Sequence, residues 1–480
     1  MPLLPKVLKF FLSGGISTFI NVAVLFICTH YFHIWYVGSA AIAFVVSVVA
    51  SFTLQKLWTF DEKALNKVHT QFFAYAVIIT VNLLLNMAII YSLVEYLNIH
   101  YVLSQIIASA LIAIESYFAY SIFVFRTTAR KNAQGAGGKQ ASIVRKVVTF
   151  RASSIGDCLM GKYFLENARV QYPSAEFYIV VGSRGGMIRD LLREYPWIRV
   201  REVNRRNPAG VISFVKETLG SSIVLTQYTK GTFSVASKIV ARFISADGIC
   251  IGWKDPSPFN RFMFDQTLVI EGSESVVDLE KKALAACGIS ASIPTPTLNG
   301  GKQSFPGMPP GLKPRSYVVA HLFAGNEGRG LSPEKRAELI KELVAKLPSH
   351  VSIVLTGGSD NVAAAETLVQ PGRVVSIAGK TTVQDSISIL SQSLVVVSVD
   401  TGFAHISAQI GVPLVVTRSC IGRRWWLDSQ YGSKGIKVFD CDTICAAGHD
   451  FGSYPKCMNA ISMPEVADAA VCGLDINNVK

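Results

Sequence analysis

The chain has 480 residues, half of them hydrophobic and 16% charged, with a formal net charge of +13. This length accommodates two or three domains, and an apolar excess near the N-terminus indicates a membrane segment joined to a soluble part. The basic residues lie in turns and juxtamembrane loops, which favours an anionic membrane surface and phosphate substrates and disfavours nucleic acid. The nine cysteines do not form the dense pattern of a small disulfide-rich secreted protein.

Four apolar stretches open the chain, and each approaches or exceeds the roughly 20 residues that a helix needs to cross a bilayer. They cover residues 10–28, 37–54, 72–94 and 101–124. Lys and Arg flank both ends of this segment and occupy the loop between the second and third stretches, whereas the other two loops contain neither. By the positive-inside rule, both ends are predicted to face the cytoplasm.

The second and fourth stretches close on similar patterns, SFTLQKLWTF at residues 51–60 and SYFAYSIFVF at residues 116–125. Repeated helix pairs are common in transporters, although aromatic belts at membrane interfaces produce the same likeness. With Ser13-Gly14-Gly15 at its start, the layout of residues 10–126 resembles the GtrA-like family of small four-helix proteins. The resemblance implies a role in moving polyprenyl-phosphate-linked sugars across the inner membrane.

Polar side chains inside the apolar stretches are candidate functional residues. Glu115 lies eleven residues before Arg126, and the helical rise of about 1.5 Å per residue places it near the middle of the bilayer. An acid at that depth is a functional-site hypothesis, with Asn21, Asn82 and Asn86 as its partners. A protonated glutamate, or asparagines that join helices, is the alternative interpretation.

A basic segment rich in glycine and alanine at residues 127–146 predicts a flexible tether. A short apolar strand follows and ends in RASSIGD, residues 151–157, before a helical pattern begins. Asp157 therefore lies in the first strand-to-helix loop of an α/β fold. A Gly-Asp pair at a helix start is either an N-cap or a catalytic base.

Residues 395–413, VVVSVDTGFAHISAQIGVP, predict a strand, a tight loop and the start of a helix. In a parallel sheet this loop offers Asp400, Thr401, Gly402 and His405 as a cradle for a nucleotide diphosphate at a helix N-terminus. An ordinary turn in which Asp400 caps the helix is the alternative.

These motifs occur together with GKTTVQDSISILSQSLVVVSV and AQIGVPLVV around DTGxxH, and with VVTFRASSIGD upstream. Over about residues 145–470 the chain resembles the heptosyltransferase-like glycosyltransferases of family 9. The resemblance implies a GT-B fold, in which two Rossmann-like doubly wound α/β domains face a cleft. It also implies that Asp157 is the general base, and that the loop contacts the acceptor through Arg151, Ser153 and Ser154.

The resemblance further implies that a second glycine turn, with Gly357, Gly358 and Asp360, lines the nucleoside pocket. Related enzymes usually contain a Lys-x-Trp-Pro-x-Glu core in the preceding loop. Here Arg329 occupies the place of the lysine and Leu331 that of the tryptophan. Arg329 is expected to neutralise the leaving diphosphate, but the departure from the pattern leaves the donor and full activity open.

The sequence thus predicts a transmembrane helical bundle of four spans followed by an α/β GT-B unit. Its expected parts are a GtrA-like domain (residues 1–126), a basic linker (127–146), an acceptor-side domain (147–300) and a nucleotide-sugar-binding domain (301–480). A terminal helix at residues 464–472 is expected to pack across the first of these two α/β domains.

We expect an inverting glycosyltransferase in the bacterial inner membrane, with its N-terminus and transferase domain cytoplasmic. Its predicted partners are a nucleotide sugar, a polyprenyl-phosphate-linked or lipid A-type acceptor and membrane lipids. Self-association through the membrane domain is left open. The alternative is a lipid-linked sugar transporter or scaffold that binds ligand without turnover. No cofactor or metal is expected, since Cys441, Cys445, His449 and Cys457 lack a standard zinc spacing.

Overall fold

A computed structural model describes residues 3–61, 68–120, 124, 144–227, 234–245, 248–257, 260–272, 274–300, 312–325, 327–419, 430–431, 435–440 and 456–478. The chain forms two compact units, residues 1–142 and 143–480. Most of the predicted linker, at residues 127–143, lies outside the described residues.

The first unit consists of apolar helices. They are α1 (Leu3–His30), α2 (Tyr36–Leu54), α3 (Val68–Glu95) and α4 (Tyr101–Ala119), with a π-helix at Gln55–Thr59 that continues α2. Among the described residues, three helices are long and apolar enough to cross a membrane, and Leu103–Tyr117 is a shorter apolar helix. Many of their large apolar side chains are exposed in the protein alone, as lipid-facing side chains are. The predicted helical membrane segment is confirmed, with three helices of spanning length and a shorter fourth.

The two closing patterns of the membrane segment meet in one aromatic cluster. Phe52 and Phe60 come from the first pattern and Tyr117 and Tyr120 from the second, and they pack around Phe10. Phe10 and Tyr117 lie edge to face with ring centroids 5.4 Å apart. Residues of both patterns therefore take part in the same interhelical packing.

The second unit contains two α/β domains with parallel sheets. The first has β1 (Lys146–Phe150), α5 (Ile155–Gln171), β2 (Glu176–Val181), α6 (Gly185–Leu191), β3 (Ile198–Glu202), α7 (Pro208–Thr218), β4 (Ile223–Leu225), α8 (Val235–Ile244), β5 (Ile249–Trp253), α9 (Asn260–Met263), β6 (Gln266–Leu268) and α10 (Val276–Ala286). The second has β7 (Tyr317–His321), α11 (Pro333–Lys346), β8 (Ser352–Leu355), α12 (Val362–Glu366), β9 (Val374–Ser376), α13 (Val383–Ser391), β10 (Val396–Val399), α14 (Gly402–Ile410), β11 (Leu414–Thr417), β12 (Ile436–Phe439), α15 (Lys456–Asn459) and α16 (Met463–Asn478).

Both sheets have the same topology. Their orders are β3-β2-β1-β4-β5-β6 and β12-β11-β10-β7-β8-β9, and the strands are short apolar runs, as expected where helices cover both faces. In each sheet the order reverses between the first and fourth strands of the domain. A doubly wound sheet binds ligands at this switch point, outside the carboxyl ends of its strands. The predicted pair of Rossmann-like domains is confirmed.

The two α/β domains contact each other through α5 and α14 and through α6 and α13. At the second contact, the side-chain amide of Gln384 donates to the Asp190 carbonyl at 2.7 Å, and the Gln384 N–H donates to the Asp190 carboxylate at 3.1 Å.

The expected position of the terminal helix was wrong. Val466, Ala467 and Ala470 of α16 are buried in the core of the second α/β domain, and Lys346 of α11 pairs with Asp468 at 2.7 Å. The helix covers the domain that precedes it in sequence, because its apolar face matches that of α11.

Candidate active site

The four loops at the two switch points carry the candidate site. Asp157 follows β1 and Gln227 follows β4 in the first α/β domain, whereas Arg329 follows β7 and Asp400 follows β10 in the second. The sequence motifs thus occupy the positions where this topology binds ligands.

A cavity of about 460 Å³ lies between the two α/β domains. Its wall includes residues of both domains: Ser154, Ile155, Gly156, Asp157, Arg184, Met187, Ala324, Gly325, Arg329, Asp400, Thr401, Gly402 and His405. The predicted base and the predicted donor cradle therefore face the same space.

Asp157 is held by two donors. The Ser154 hydroxyl donates to Oδ2 at 2.5 Å, and the side-chain amide of Gln227 donates to Oδ1 at 2.7 Å. Ser154 is also the N-cap of α5, since its oxygen accepts from the Asp157 N–H. Asp157 itself is therefore not the N-cap that the sequence allowed; it is the third residue of α5 and faces the cavity.

Burial raises the pKa of Asp157, while the hydrogen bond from Ser154, the charges of Arg151 and Arg329 and the hydrogen bond from Gln227 lower it. The net effect is a pKa of Asp157 above its ordinary value. A carboxylate with a raised pKa is a stronger proton acceptor, provided that it remains ionised at the working pH.

Arg151 is not among the described residues that form the cavity wall. Its side chain is 1% exposed and forms a two-pronged ion pair with Glu280 of α10, with the second contact at 2.9 Å. It crosses α5 at Gly161, where an added Cβ would lie 3.0 Å from Arg151 Cγ. Arg151 therefore acts on Asp157 through its charge and has no position from which to touch an acceptor in the cavity.

Ser153 connects two loops. Its hydroxyl accepts a hydrogen bond from the Ser183 N–H at 3.0 Å, which fixes the β2–α6 loop against the loop of Asp157. The next residue, Arg184, lines the cavity with a left-handed backbone (φ 56°). Arg184 was not among the predicted site residues, because the glycines beside it match no known fingerprint.

On the opposite wall, Asp400 is almost fully buried. Its carboxylate lies 3.8 Å from Arg329 Nη1 and 3.7 Å from His405 Nε2. His405 Nδ1 lies 2.8 Å from the Tyr431 hydroxyl. Burial lowers the pKa of His405 to about 4 despite the nearby Asp400, so the imidazole is neutral at pH 7.

The start of α14 faces the cavity at Thr401 and Gly402. Thr401 is the N-cap residue, but its hydroxyl makes no capping bond, and it has no hydrogen-bond partner among the described residues. The hydroxyl is thus a buried polar atom beside the cavity. The N–H groups in the first turn of a helix have no partner within the helix, which suits an anionic ligand.

Gly402 contacts the other domain directly. A Cβ at this position would lie 2.6 Å from Ile155 Cβ, a distance that real Cβ atoms essentially never show. The glycine of DTGxxH thus allows the N-termini of α5 and α14 to meet, so that both helix starts border one cavity.

Arg329 reaches the cavity from a 3₁₀ turn, Glu327–Arg329. Two residues later, Leu331 is 1% exposed and packs in the core of the second α/β domain. The departure from the usual loop pattern is thus accommodated by core packing, and it leaves an arginine facing the cavity.

The second glycine turn lies at the edge of the site. Gly357, Gly358 and Asp360 follow β8 and are absent from the cavity wall that the described residues form. Gly357 approaches the β7 loop, where an added Cβ would lie 3.2 Å from Phe323 Cδ2. Their role in nucleoside binding remains a prediction.

The polar residues of the membrane unit connect neighbouring helices. Asn21 donates to the Ser47 hydroxyl at 3.1 Å, Asn82 donates to the Ser116 hydroxyl at 2.8 Å, and Asn86 accepts from Gln105 at 3.5 Å. The Glu115 side chain lies beside Asn82 and Ser116, and the residue is exposed. These contacts favour the interhelical role of the asparagines, whereas a functional role for Glu115 stays a prediction.

Within the described residues, no group of three or more His, Cys, Asp and Glu side chains could hold a metal ion. Cys441, Cys445 and His449 lie outside those residues, and Cys457 is buried in the core of the second α/β domain.

Two family models match the sequence. The GtrA/DPMS transmembrane domain matches residues 9–125, and glycosyltransferase family 9 (heptosyltransferase) matches residues 313–416. No curated protein sequence matches the chain.

Solved structures share the fold of the two α/β domains. ADP-heptose lps heptosyltransferase II from E. coli has 15% identity and a TM-score of 0.52, over 69% of this chain and 99% of its own. A family 9 glycosyl transferase from Veillonella parvula has 15% identity and a TM-score of 0.55, over 70% of this chain and 99% of its own.

Proposed function

We propose, from the premise that the chain joins a GtrA/DPMS transmembrane domain to a family 9 glycosyltransferase of GT-B fold, that it transfers a sugar from a nucleotide-sugar donor to an acceptor held at a bacterial membrane. Both resemblances inferred from the sequence are confirmed. The observation that carries the proposal is that Asp157 and Arg329 border one cavity, each from the switch point of its own sheet.

On the acceptor side, Asp157 is the general base. An alcohol is a weak nucleophile until its proton is accepted in the transition state. As the acceptor oxygen bonds to the anomeric carbon, its proton passes to Asp157 and the bond from that carbon to the diphosphate oxygen breaks. A single displacement of this kind inverts the anomeric configuration.

On the donor side, negative charge develops on the departing nucleoside diphosphate. Arg329 and the start of α14 stabilise it, with the Thr401 hydroxyl as a further donor. The Asp400 carboxylate lies 3.8 Å from Arg329 Nη1 and helps to position it. The neutral His405 is available to hydrogen-bond the donor. Positive charge thus lies at the position where negative charge develops as the bond to the sugar breaks.

The identity of the donor, the nature of the acceptor and the cellular location of the protein complete the proposal. One neighbour of similar fold is named for ADP-heptose, so this sugar nucleotide is the first donor to test. The membrane helices favour an acceptor that is itself in the membrane, such as a polyprenyl-phosphate-linked glycan. The distribution of Lys and Arg favours a cytoplasmic transferase on the inner membrane, and the GtrA/DPMS domain would then handle the lipid-linked product.

The test measures release of nucleoside diphosphate by the full-length protein in membranes that contain polyprenyl phosphate. The donors are ADP-, GDP-, UDP- and dTDP-sugars, and release without acceptor is subtracted. We expect acceptor-dependent release from one donor and a loss of about 10²-fold or more in Asp157→Ala, since a general base contributes about 10²–10⁴-fold.

If no donor is turned over while nucleotide-sugar binding remains measurable, the transferase proposal fails. The chain is then a lipid-linked sugar transporter or scaffold whose GT-B unit only binds.

A further inference from the structure

Gln227 lies at the switch point of the first sheet, next to the proposed base. β4 pairs with β1 in the register Val148 to Val224 and Thr149 to Leu225, so Gln227 emerges at the same edge as the loop of Asp157. Its residue surface is 5% exposed. A long polar side chain is therefore buried where the sheet directs its ligands.

The amide of Gln227 is directed at the carboxylate. Its Nε2 donates to Asp157 Oδ1 at 2.7 Å across 70 positions of sequence, whereas the Ser154 hydroxyl binds the other oxygen from within the same turn. With one donor on each oxygen, the plane of the carboxylate is fixed, and its remaining lone pairs are left for a proton from the cavity.

Gln227 is a cleaner probe of this interaction than Ser154. Ser154 also caps α5, so its removal would alter the helix as well as the base. The other charged or titratable groups near the base are Arg151, Arg184, Arg329, Asp400, His405 and the Cys158 thiol. All but Cys158 carry full charges or belong to the donor cradle, and burial raises the pKa of the Cys158 thiol, so that it stays protonated. Gln227 is neutral, and its removal leaves the net charge around Asp157 unchanged.

Resting on the proposed function, in which Asp157 is the base, we propose that Gln227 is a positioning residue: its amide keeps the Asp157 carboxylate ionised and oriented toward the cavity. A hydrogen bond donated to a carboxylate favours the ionised form. Without it, burial shifts the group toward the protonated form, which cannot accept a proton from the acceptor.

The test reads the protonation of Asp157 without requiring turnover. Dicyclohexylcarbodiimide adds to protonated carboxyl groups, and trypsin releases residues 152–162, ASSIGDCLMGK, in which Asp157 is the only acidic side chain. Labelling of this peptide in the full-length protein is followed by mass spectrometry at a pH where the wild type reacts slowly. For Gln227→Met we expect about a tenfold higher rate, the change that one hydrogen bond to a charged group makes to a protonation equilibrium.

Thr226→Val is the matched control. Thr226 directly precedes Gln227, is 1% exposed, and donates its hydroxyl to the Ile251 carbonyl at 3.3 Å. The variant removes a buried hydrogen bond that does not involve Asp157, so its labelling rate should stay at the wild-type value. If Gln227→Met unfolds, Gln227→Glu preserves the side-chain length and places a second carboxylate beside the first, which should raise the labelling further.

Wild-type labelling in folded Gln227→Met and Gln227→Glu, or an equal increase in Thr226→Val, overturns the proposal. A second measurement addresses the reaction: the acid limb of the pH profile of kcat/KM should move to higher pH in Gln227→Met and stay in place in Thr226→Val. If the wild type turns over no donor, the proposed function fails, while the labelling still decides the role of Gln227.

Discussion

Gly402→Ala tests whether the meeting of α5 and α14 sets the geometry of the cavity. The new Cβ would lie 2.6 Å from Ile155 Cβ, 3.0 Å from its Cγ2 and 3.3 Å from its Cδ1. Ordinary contact begins at 3.4 Å, so the two helix starts must move apart by about 0.8 Å. Rotation of the isoleucine side chain cannot relieve this overlap, because its nearest atom is the Cβ.

The displacement separates groups that must act together. Asp157 moves with α5, whereas Thr401 and the proposed phosphate-binding turn move with α14. Misplacement of about 1 Å lowers turnover by about 10²-fold, so we expect kcat to fall about a hundredfold. Overpacking should also lower the free energy of unfolding by about 1–3 kcal/mol.

The assay is nucleoside diphosphate release, combined with thermal unfolding. In the Gly402→Ala background, Ile155→Gly removes the nearest atom and should restore most of the turnover, whereas Ile155→Ala retains that atom and should restore little. Gly186→Ala is the control, since Gly186 is exposed and an added Cβ there meets nothing within 4 Å. Wild-type turnover in Gly402→Ala, or equal rescue by the two Ile155 variants, would refute the argument.

Three further predictions concern charge. Burial lowers the pKa of His321 and His405 from 6.5 to about 4. As the pH falls, these histidines are therefore protonated in the unfolded chain before they are protonated in the folded one. The free energy of unfolding should fall between pH 6.5 and 4, by up to about 1.4 kcal/mol per pH unit for each histidine. Thermal unfolding at pH 7 and pH 5 checks this, and replacement of either histidine by Gln should reduce the pH dependence. Glu280→Gln deprives Arg151 of its carboxylate partner and should lower the free energy of unfolding by about 3–5 kcal/mol in denaturant titrations. Arg329→Met should lower kcat by about 10²–10³-fold in the release assay, whereas Arg329→Lys keeps a cation and should retain more activity.

Each of these predictions has a control variant or an outcome that would contradict it. Glu217→Gln removes a partly exposed partner of Arg201 and should change the free energy of unfolding by less than about 1 kcal/mol. If Glu280→Gln lowers the free energy of unfolding by no more than Glu217→Gln does, the buried pair of Arg151 and Glu280 has no special role in stability. A pH dependence that is unchanged in both histidine variants would contradict the linkage argument, and wild-type turnover in Arg329→Met would contradict its role at the leaving group.

The fold could be predicted because its signals are local. Apolar runs of spanning length predicted the membrane helices, and strand ends followed by glycine turns predicted two doubly wound sheets. Asp157, Asp400, Thr401, Gly402 and His405 could be proposed as site residues for the same reason, since each lies in a short motif at the carboxyl end of a strand. The topology of parallel sheets then brings such motifs together.

The positions that were not predicted correctly depend on partners that are distant in sequence. Arg151 was expected to face an acceptor, but it pairs with Glu280, 129 positions away. Gln227 follows β4, and the crossover that places β4 beside β1 is the signal that could have found it. The packing of α16 on α11 likewise depends on which apolar face is left uncovered by the rest of the domain. No local pattern encodes these pairings.

The buried pair of Arg151 and Glu280 has a consequence for how the base responds to ionic strength. Dissolved ions screen charges at the protein surface over about 10 Å at 0.1 M salt, but they screen buried charges much less. Arg151 is enclosed by protein, so its influence on Asp157 should persist from dilute to concentrated salt. The part of the protonation equilibrium of the proposed base that depends on Arg151 should therefore change little with ionic strength, even where salt weakens attraction to an anionic membrane.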